Sequence, residues 1–182
     1  MNAAESLANW LRLTLIPGIG GETQRKLLSA FGLPEAVFLA SRSALRNVVG
    51  DKTASLVLDT DNQLMIEEAL RWSEKPGQHL LCLADAEYPQ SLLQIPDPPT
   101  LLYVRGRLDL LNTPALAIVG SRNPTPQGIS NAERFAAALA DAQLTITSGL
   151  ALGIDAAAHR GALKASGNFP LRALPRRWSE GR

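Results

Sequence analysis

A glycine, a serine and an arginine stand together where an apolar run ends. The run Ala115–Val119 is followed directly by Gly120, Ser121 and Arg122. Glycine lets a ligand approach the backbone closely, a hydroxyl can donate a hydrogen bond, and a guanidinium matches the geometry of phosphate oxygens. Taken alone, so short a motif is more often a tight turn followed by a solvated arginine.

A second segment of the same kind follows and favours an anion site. Ser148 and Gly149 follow the apolar run Leu144–Thr147, and Gly153 precedes a helical pattern. Adjacent parallel strands place such loops at one sheet edge, where hydroxyls and helix N-terminal amides converge on an anion. The spacing is not the Gly-x-Gly-x-x-Gly fingerprint of dinucleotide sites, and no acidic residue is placed to bind a ribose.

A carboxylate and an imidazole lie four residues apart on the helix predicted after the second loop. Asp155 falls in its first turn, where the helix dipole favours a negative charge, and His159 shares its face. The pair could hydrogen-bond, as a catalytic couple or as support for the ligand loop. A purely structural pair is the favoured interpretation, because such pairs are common without catalysis.

Composition excludes several other chemistries. Cys82 is the only cysteine, which rules out an intramolecular disulfide and a metal site built from cysteines. The two histidines are far apart in sequence, so we expect no metal and no cofactor. The net charge of +1 makes anion binding a matter of local geometry. No basic leader and no apolar run long enough to span a bilayer is found, so we expect a cytoplasmic protein without membrane contact.

The first 77 residues have a helical pattern. Pro17–Gly20 interrupts it and resembles the hairpin of helix-hairpin-helix modules, whose amides can bind phosphate, with Arg25 and Lys26 following. A plain turn is an equally good interpretation. A longer helix is predicted over residues 62–73, with the apolar set Leu64, Met65, Ala69 and Trp72.

From residue 78 the pattern changes to short strands, first at 80–83 and 101–104, then alternating with helices. Thr125 and Pro126 supply an N-cap and a first-turn proline for a helix. Its inward residues are predicted to be Ala132, Phe135, Ala136 and Leu139. A strand at 144–147 and a helix at 153–165 follow, with Gly161 predicted to permit close helix–strand packing. This alternation predicts an α/β fold with a parallel sheet.

Seven short segments, in a fixed order, carry a family resemblance. They are Tyr88-Pro89, Ile95–Pro99, Leu102–Gly106, Ala117–Arg122, Thr147–Ala151, Gly153–Asp155 and Ala158–Leu163. The ordered set resembles the DprA/Smf DNA-processing family over nearly the whole chain up to about residue 168.

The resemblance implies a sterile-alpha-motif-like helical domain over residues 1–77 and a partial Rossmann-like DNA-binding domain over residues 78–168. It further implies sequence-independent binding of single-stranded DNA in natural transformation, loading of the RecA recombinase, and no enzymatic activity; self-association is left open. The residues expected to line the DNA pocket are Gly120, Ser121, Arg122, Ser148, Gly149, Gly153 and Asp155, with His159 in support. Leu152 stands where the family often has arginine.

The last segment departs from the family pattern. Residues 169–182 contain two prolines and four arginines and show no strand pattern. We therefore expect an aberrant basic tail here, on a family member that is truncated or frameshifted after about residue 168.

Two other functions fit part of the chain. A nucleotide-processing enzyme of the phosphoribohydrolase type shares the Rossmann-like superfamily, but it needs a later glycine-rich loop with a catalytic glutamate. The helical part could instead be a protein-interaction module.

Overall fold

The computed structural model describes residues 3–165 and 171–173. Contacts divide the chain into two compact units, the first ending at Gly106 and the second beginning at Arg107. Helices predominate, and a short parallel sheet lies in the second unit. The predicted α/β class is confirmed.

The first unit begins with six helices. They are α1 (Ala3–Thr14), α2 (Gly21–Phe31), α3 (Pro34–Leu39), α4 (Arg42–Val49), α5 (Asp51–Asp59) and α6 (Gln63–Ser73). Gly32 ends α2 with φ of 88°, and the Ser41 hydroxyl begins α4 by accepting from the Ala44 amide. Leu13, Leu27, Val37, Leu45 and Val57 form the core between these helices.

A two-stranded antiparallel sheet belongs to this unit. β1 (Gln78–Cys82) and β2 (Leu101–Arg105) pair antiparallel, and the short helix α7 (Gln90–Leu93) lies between them in the chain. Leu80, Cys82 and Leu101 pack with Trp10 and Leu11 of α1. We predicted a domain boundary near residue 77, whereas the compact units divide after β2. The apolar cluster that β1 and β2 share with α1 explains why the two strands belong to the first unit.

The apolar face of α6 differs from the predicted one. Ile66 and Ala69 are buried, whereas Leu64 is 76% exposed and Met65 is also exposed. The prediction for Leu64 and Met65 is wrong, because Ile66 and Ala69 provide the stripe that packs against Trp10.

The second unit alternates strands and helices. Its elements are β3 (Ala115–Ala117), α8 (Pro126–Asp141), β4 (Thr145–Ser148), α9 (Ile154–Lys164) and β5 (Leu171–Ala173). β4 lies between β3 and β5, and both pairings are parallel. The core contains Ile146 of β4 with Ala136 and Ala140 of α8 and Ala158 and Ala162 of α9.

β5 corrects one expectation. We predicted no strand in residues 169–182, but Leu171–Ala173 pairs with β4 in the register Ile146 to Leu171. Three residues suffice because a strand edge offers backbone N–H and C=O groups to any extended segment. The remainder of the predicted tail lies outside the described residues.

α8 and α9 pack closely through small residues. A Cβ on Gly161 would lie 2.7 Å from the Cα of Glu133, so this glycine permits helix–helix contact, not the helix–strand contact that we predicted. Glu133 also pairs with Arg160 and Lys164 at 2.9 Å each. Phe135 is 65% exposed, and its predicted inward position is wrong, because the buried face of α8 consists of Ala132, Ala136 and Ala140.

Among the described helices, none combines the length and apolar character that crossing a bilayer requires.

Candidate functional site

The first loop, residues 118–125, leads from β3 into α8. At its end the Thr125 hydroxyl accepts from the Gly128 amide at 3.1 Å, and Pro126 occupies the first helical turn, as predicted. Inside the loop, the Ser121 hydroxyl accepts from the Asn123 amide at 3.0 Å. These local bonds hold the loop in a defined turn.

The second loop, residues 149–153, lies beside the first. The Ser148 hydroxyl donates to the Ile118 carbonyl at 2.7 Å, where β4 ends and the first loop begins. The Ile154 amide donates to the Ser121 carbonyl at 3.1 Å, just after the second loop ends. The two glycine-containing segments therefore meet, as their position after adjacent parallel strands predicts.

Gly153 is placed at the closest contact between the loops. It has a φ of 83°, and a Cβ there would lie 2.8 Å from the Arg122 Cα and closer still to the Ser121 carbonyl oxygen. A Cβ on Gly120 would lie 2.8 Å from the Ile154 side chain. These glycines are required for packing one loop against the other. This packing explains why glycine stands at both positions, whether or not the glycines also contact a ligand as predicted.

Two of the predicted site residues are buried. The Ser148 side chain is fully buried with its hydroxyl committed to Ile118. The Asp155 carboxylate is buried under Gly149, where it accepts from the Ala151 amide at 3.3 Å. Both side chains fix the course of the second loop and turn away from solvent.

Ser121 and Arg122, by contrast, are exposed. The Arg122 guanidinium forms no ion pair with any carboxylate in the described ranges. Beside it, α9 begins at Ile154, and its N-cap residue, Gly153, has no side chain to cap the helix. In the described part of the chain, the amides of Asp155 and Ala156 donate to no backbone carbonyl outside α9. A helix N-terminus without a side-chain cap, beside an exposed guanidinium, is suited to bind an anion such as a phosphate.

The second candidate phosphate site, at Pro17–Gly20, is less available. Arg25 forms an ion pair with Asp97 and donates to the Pro98 carbonyl at 3.1 Å. Lys26 pairs with Glu22 at 2.8 Å. Both cations that could accompany this hairpin are thus already partnered.

Comparison with known proteins identifies the family. The family model for DNA recombination-mediator protein A matches residues 79–169, which include both loops and the whole of α9. The chain belongs to the DprA/Smf family.

Relatives in this family include bacterial proteins of several groups. The chain is 34% identical to protein Smf of Synechocystis over 88% of its own length and 42% of that protein. It is 46% identical to DNA processing protein DprA of Streptococcus pneumoniae over 47% of its length and 30% of that protein. The chain therefore spans less than half the length of these curated relatives.

A solved structure of S. pneumoniae DprA has a similar fold. It superposes with a TM-score of 0.71 at 27% identity, covering 91% of this chain and 57% of that one. The similarity supports the α/β architecture described above.

The imidazole of this DprA/Smf chain is buried in α9. Neither ring nitrogen of His159 has a hydrogen-bond partner among the described residues, so the hydrogen bond considered with Asp155 is not formed. Burial lowers the pKa of His159 below its ordinary 6.5, and the Asp155 carboxylate opposes part of this shift. The ring is therefore neutral at pH 7. Within the described ranges no cluster of His, Cys, Asp and Glu could hold a metal ion.

Three apolar side chains on the two loops are exposed; sequence patterns did not single out Val119 and Leu150, and they singled out Leu152 only as a departure from the family pattern. Val119 lies on the first loop, and Leu150 and Leu152 lie on the second. Leu150 also has a φ of 55°, which leucine rarely adopts. For Leu150 and Leu152 the sequence offered one signal, their position between Gly149 and Gly153. The start of a helix explains this pattern equally well.

Proposed function

We propose that this chain binds single-stranded DNA without regard to sequence, by its phosphates, at the site formed by the two loops. Arg122 provides the charge, and backbone amides at the start of α9 provide further donors. Family membership supports a nucleic acid as the ligand, because the family is described as a DNA recombination mediator.

One observation carries the proposal. The Arg122 guanidinium is exposed and unpaired among the described carboxylates, and the Ile154–Ser121 hydrogen bond ties its loop to the N-terminus of α9. A guanidinium and helix-terminal amides on one surface bind phosphate oxygens but read no base edges. Such a site gives sequence-independent affinity.

We propose binding without catalysis. The carboxylate and the imidazole of α9 support this, because Asp155 is buried with its carboxylate accepting from Ala151 and His159 is buried and neutral. A general acid or base must reach a substrate proton, and neither group is exposed to do so.

The proposed setting is the uptake and recombination of incoming DNA in the cytoplasm, with the RecA recombinase as protein partner. The family's description as a recombination mediator supports this setting. Direct binding of the chain to RecA, measured by biolayer interferometry with and without single-stranded DNA, tests the partner.

Fluorescence anisotropy with labelled oligonucleotides tests the DNA ligand. Mixed-sequence and homopolymer strands of equal length should bind with similar affinity, and binding should weaken steeply as salt rises. Strong preference for one sequence, or affinity that is insensitive to salt, would contradict the proposal.

A further inference from the structure

The second loop packs on one buried carboxylate. Asp155 is 6% exposed, and its Oδ2 accepts from the Ala151 amide at 3.3 Å, at the long end of the range for such hydrogen bonds. The same oxygen would lie 2.9 Å from a Cβ on Gly149, so the loop backbone lies directly against it. The course of the second loop therefore depends on where this carboxylate lies.

Leu150 lies between these two contacts in a strained conformation. Its φ of 55° is in the left-handed region, where the Cβ of leucine crowds the backbone. Its side chain is exposed, so packing offsets little of this strain. Such a conformation persists only where surrounding contacts hold it. The loop should relax when the contact between Asp155 and Ala151 is lost.

His159 lies one helical turn after Asp155 and is buried without a partner. It is 7% exposed, and neither ring nitrogen has a hydrogen-bond partner among the described residues. Residues four apart on a helix share a face, so the ring and the carboxylate are neighbours. A neutral ring is tolerated in this apolar site, whereas a charged ring requires a counter-charge.

Asp155 is the counter-charge available to His159. β4 and the second loop carry no charged residue, and the remaining charged residues of α8, α9 and β5 are Glu133, Arg134, Asp141, Arg160, Lys164 and Arg172. Glu133 already pairs with Arg160 and Lys164. Burial lowers the pKa of His159, and Asp155 is the one charged group among the described side chains that opposes this shift. A proton on the ring therefore acts first on the Asp155 carboxylate.

We propose that protonation of His159 draws the Asp155 carboxylate toward the ring and away from the Ala151 amide, which loosens the second loop and weakens phosphate binding. The effect on DNA rests on the proposed function. Because burial lowers the pKa of His159 below its ordinary 6.5, the ring takes up its proton only at pH values below that. The site is thus set for binding at neutral pH and for release in acid.

NMR titration of the full chain tests the movement of the loop. Between about pH 7.5 and about pH 5.5, the Ala151 amide resonance should shift with the same midpoint as the His159 ring. In His159→Gln this shift should vanish. In Asp155→Asn the ring should still titrate while the Ala151 amide stays unchanged, because a neutral amide does not attract the imidazolium. An Ala151 amide that does not follow the ring in the wild type would overturn the inference.

Fluorescence anisotropy with oligo-dT tests the effect on binding. The affinity of the wild type at constant salt should fall about fivefold from about pH 7.5 to about pH 5.5. His159→Gln and Asp155→Asn should show no such fall. His79→Gln, at the other histidine of the chain, is the matched control and should respond like the wild type.

The outcomes distinguish this inference from the proposed function. Equal or tighter wild-type binding in acid would overturn the inference while phosphate binding stands, because the added positive charge would then outweigh any movement of the loop. A fall in affinity that His159→Gln retains would overturn it as well. Absence of oligo-dT binding at both pH values would overturn the proposed function and the effect on DNA, and the Ala151 titration would then support or overturn the movement of the loop by itself.

Discussion

The amide of Ile154 donates a 3.1 Å hydrogen bond to the carbonyl of Ser121. This bond joins the first residue of α9 to the loop that follows β3. It sets the position of Arg122 relative to the helix N-terminus through backbone atoms alone, without a flexible side chain between them. The anion site thus depends on how closely the two loops pack.

Gly153→Ala should destabilise this packing. A Cβ there meets the backbone of Ser121 and Arg122, and the φ of 83° adds strain. We expect a loss of about 2–4 kcal/mol in the free energy of unfolding, measured by chemical denaturation. Gly32→Ala is the control, because it has a similar φ of 88° but no heavy atom within 4 Å of the new Cβ. It should cost only about 1 kcal/mol. Equal losses for both variants would show that loop packing is not tight.

Ser148→Ala should also destabilise the second unit. It removes the buried donor of the Ile118 carbonyl, and we expect a loss of about 1–3 kcal/mol. Ser121→Ala removes an exposed hydroxyl and should stay within about 0.5 kcal/mol of wild type. Thermal and chemical unfolding of both variants measure the difference. A larger loss of stability for Ser121→Ala than for Ser148→Ala would contradict a structural role for the buried Ser148 hydroxyl.

Stability should depend on pH through His159. Its pKa is lower in the folded state than the ordinary 6.5, because burial disfavours the charged ring. The unfolded chain then binds more protons below about pH 6.5, so the free energy of unfolding should fall as pH decreases below that value. His159→Gln should flatten this dependence between about pH 5 and 7. An unchanged slope in the variant would assign the dependence to other groups.

Leu150→Gly should stabilise the chain. Glycine relieves the strain of the positive φ, for a gain of about 0.5–1 kcal/mol in the free energy of unfolding. Leu152→Gly has no such strain to relieve and should lose stability by a similar amount. Chemical denaturation of both variants measures the difference. A Leu150→Gly variant no more stable than Leu152→Gly would contradict backbone strain at Leu150.

Local signals in the sequence predicted much of the fold. Thr125 and Pro126 at the start of α8, Gly32 at the end of α2 and the succession of short strands depend on near neighbours in the chain, and the structure bears them out. The contact between the two loops was also predicted, because each loop follows one of two adjacent parallel strands.

Long-range packing decided what the sequence could not predict. Phe135 has an apolar side chain at a plausible spacing, but the helix turns Ala132, Ala136 and Ala140 to the core instead. Ser148 ends a strand like a ligand-facing residue, yet its hydroxyl donates to Ile118 inside the unit. The identity of its partner depends on the register of β3 against β4, which local sequence does not specify.

The salt dependence of DNA binding by Arg122→Ala tests the central claim most directly. Arg134→Ala, at another exposed arginine without an ion pair among the described residues, is the control. The slope of log affinity against log salt should fall by about 0.7 for Arg122→Ala, the value for one lost phosphate contact on a single strand. Affinity should fall about five- to tenfold, with Arg134→Ala like wild type. Identical slopes and affinities for wild type and both variants would contradict a phosphate contact at Arg122.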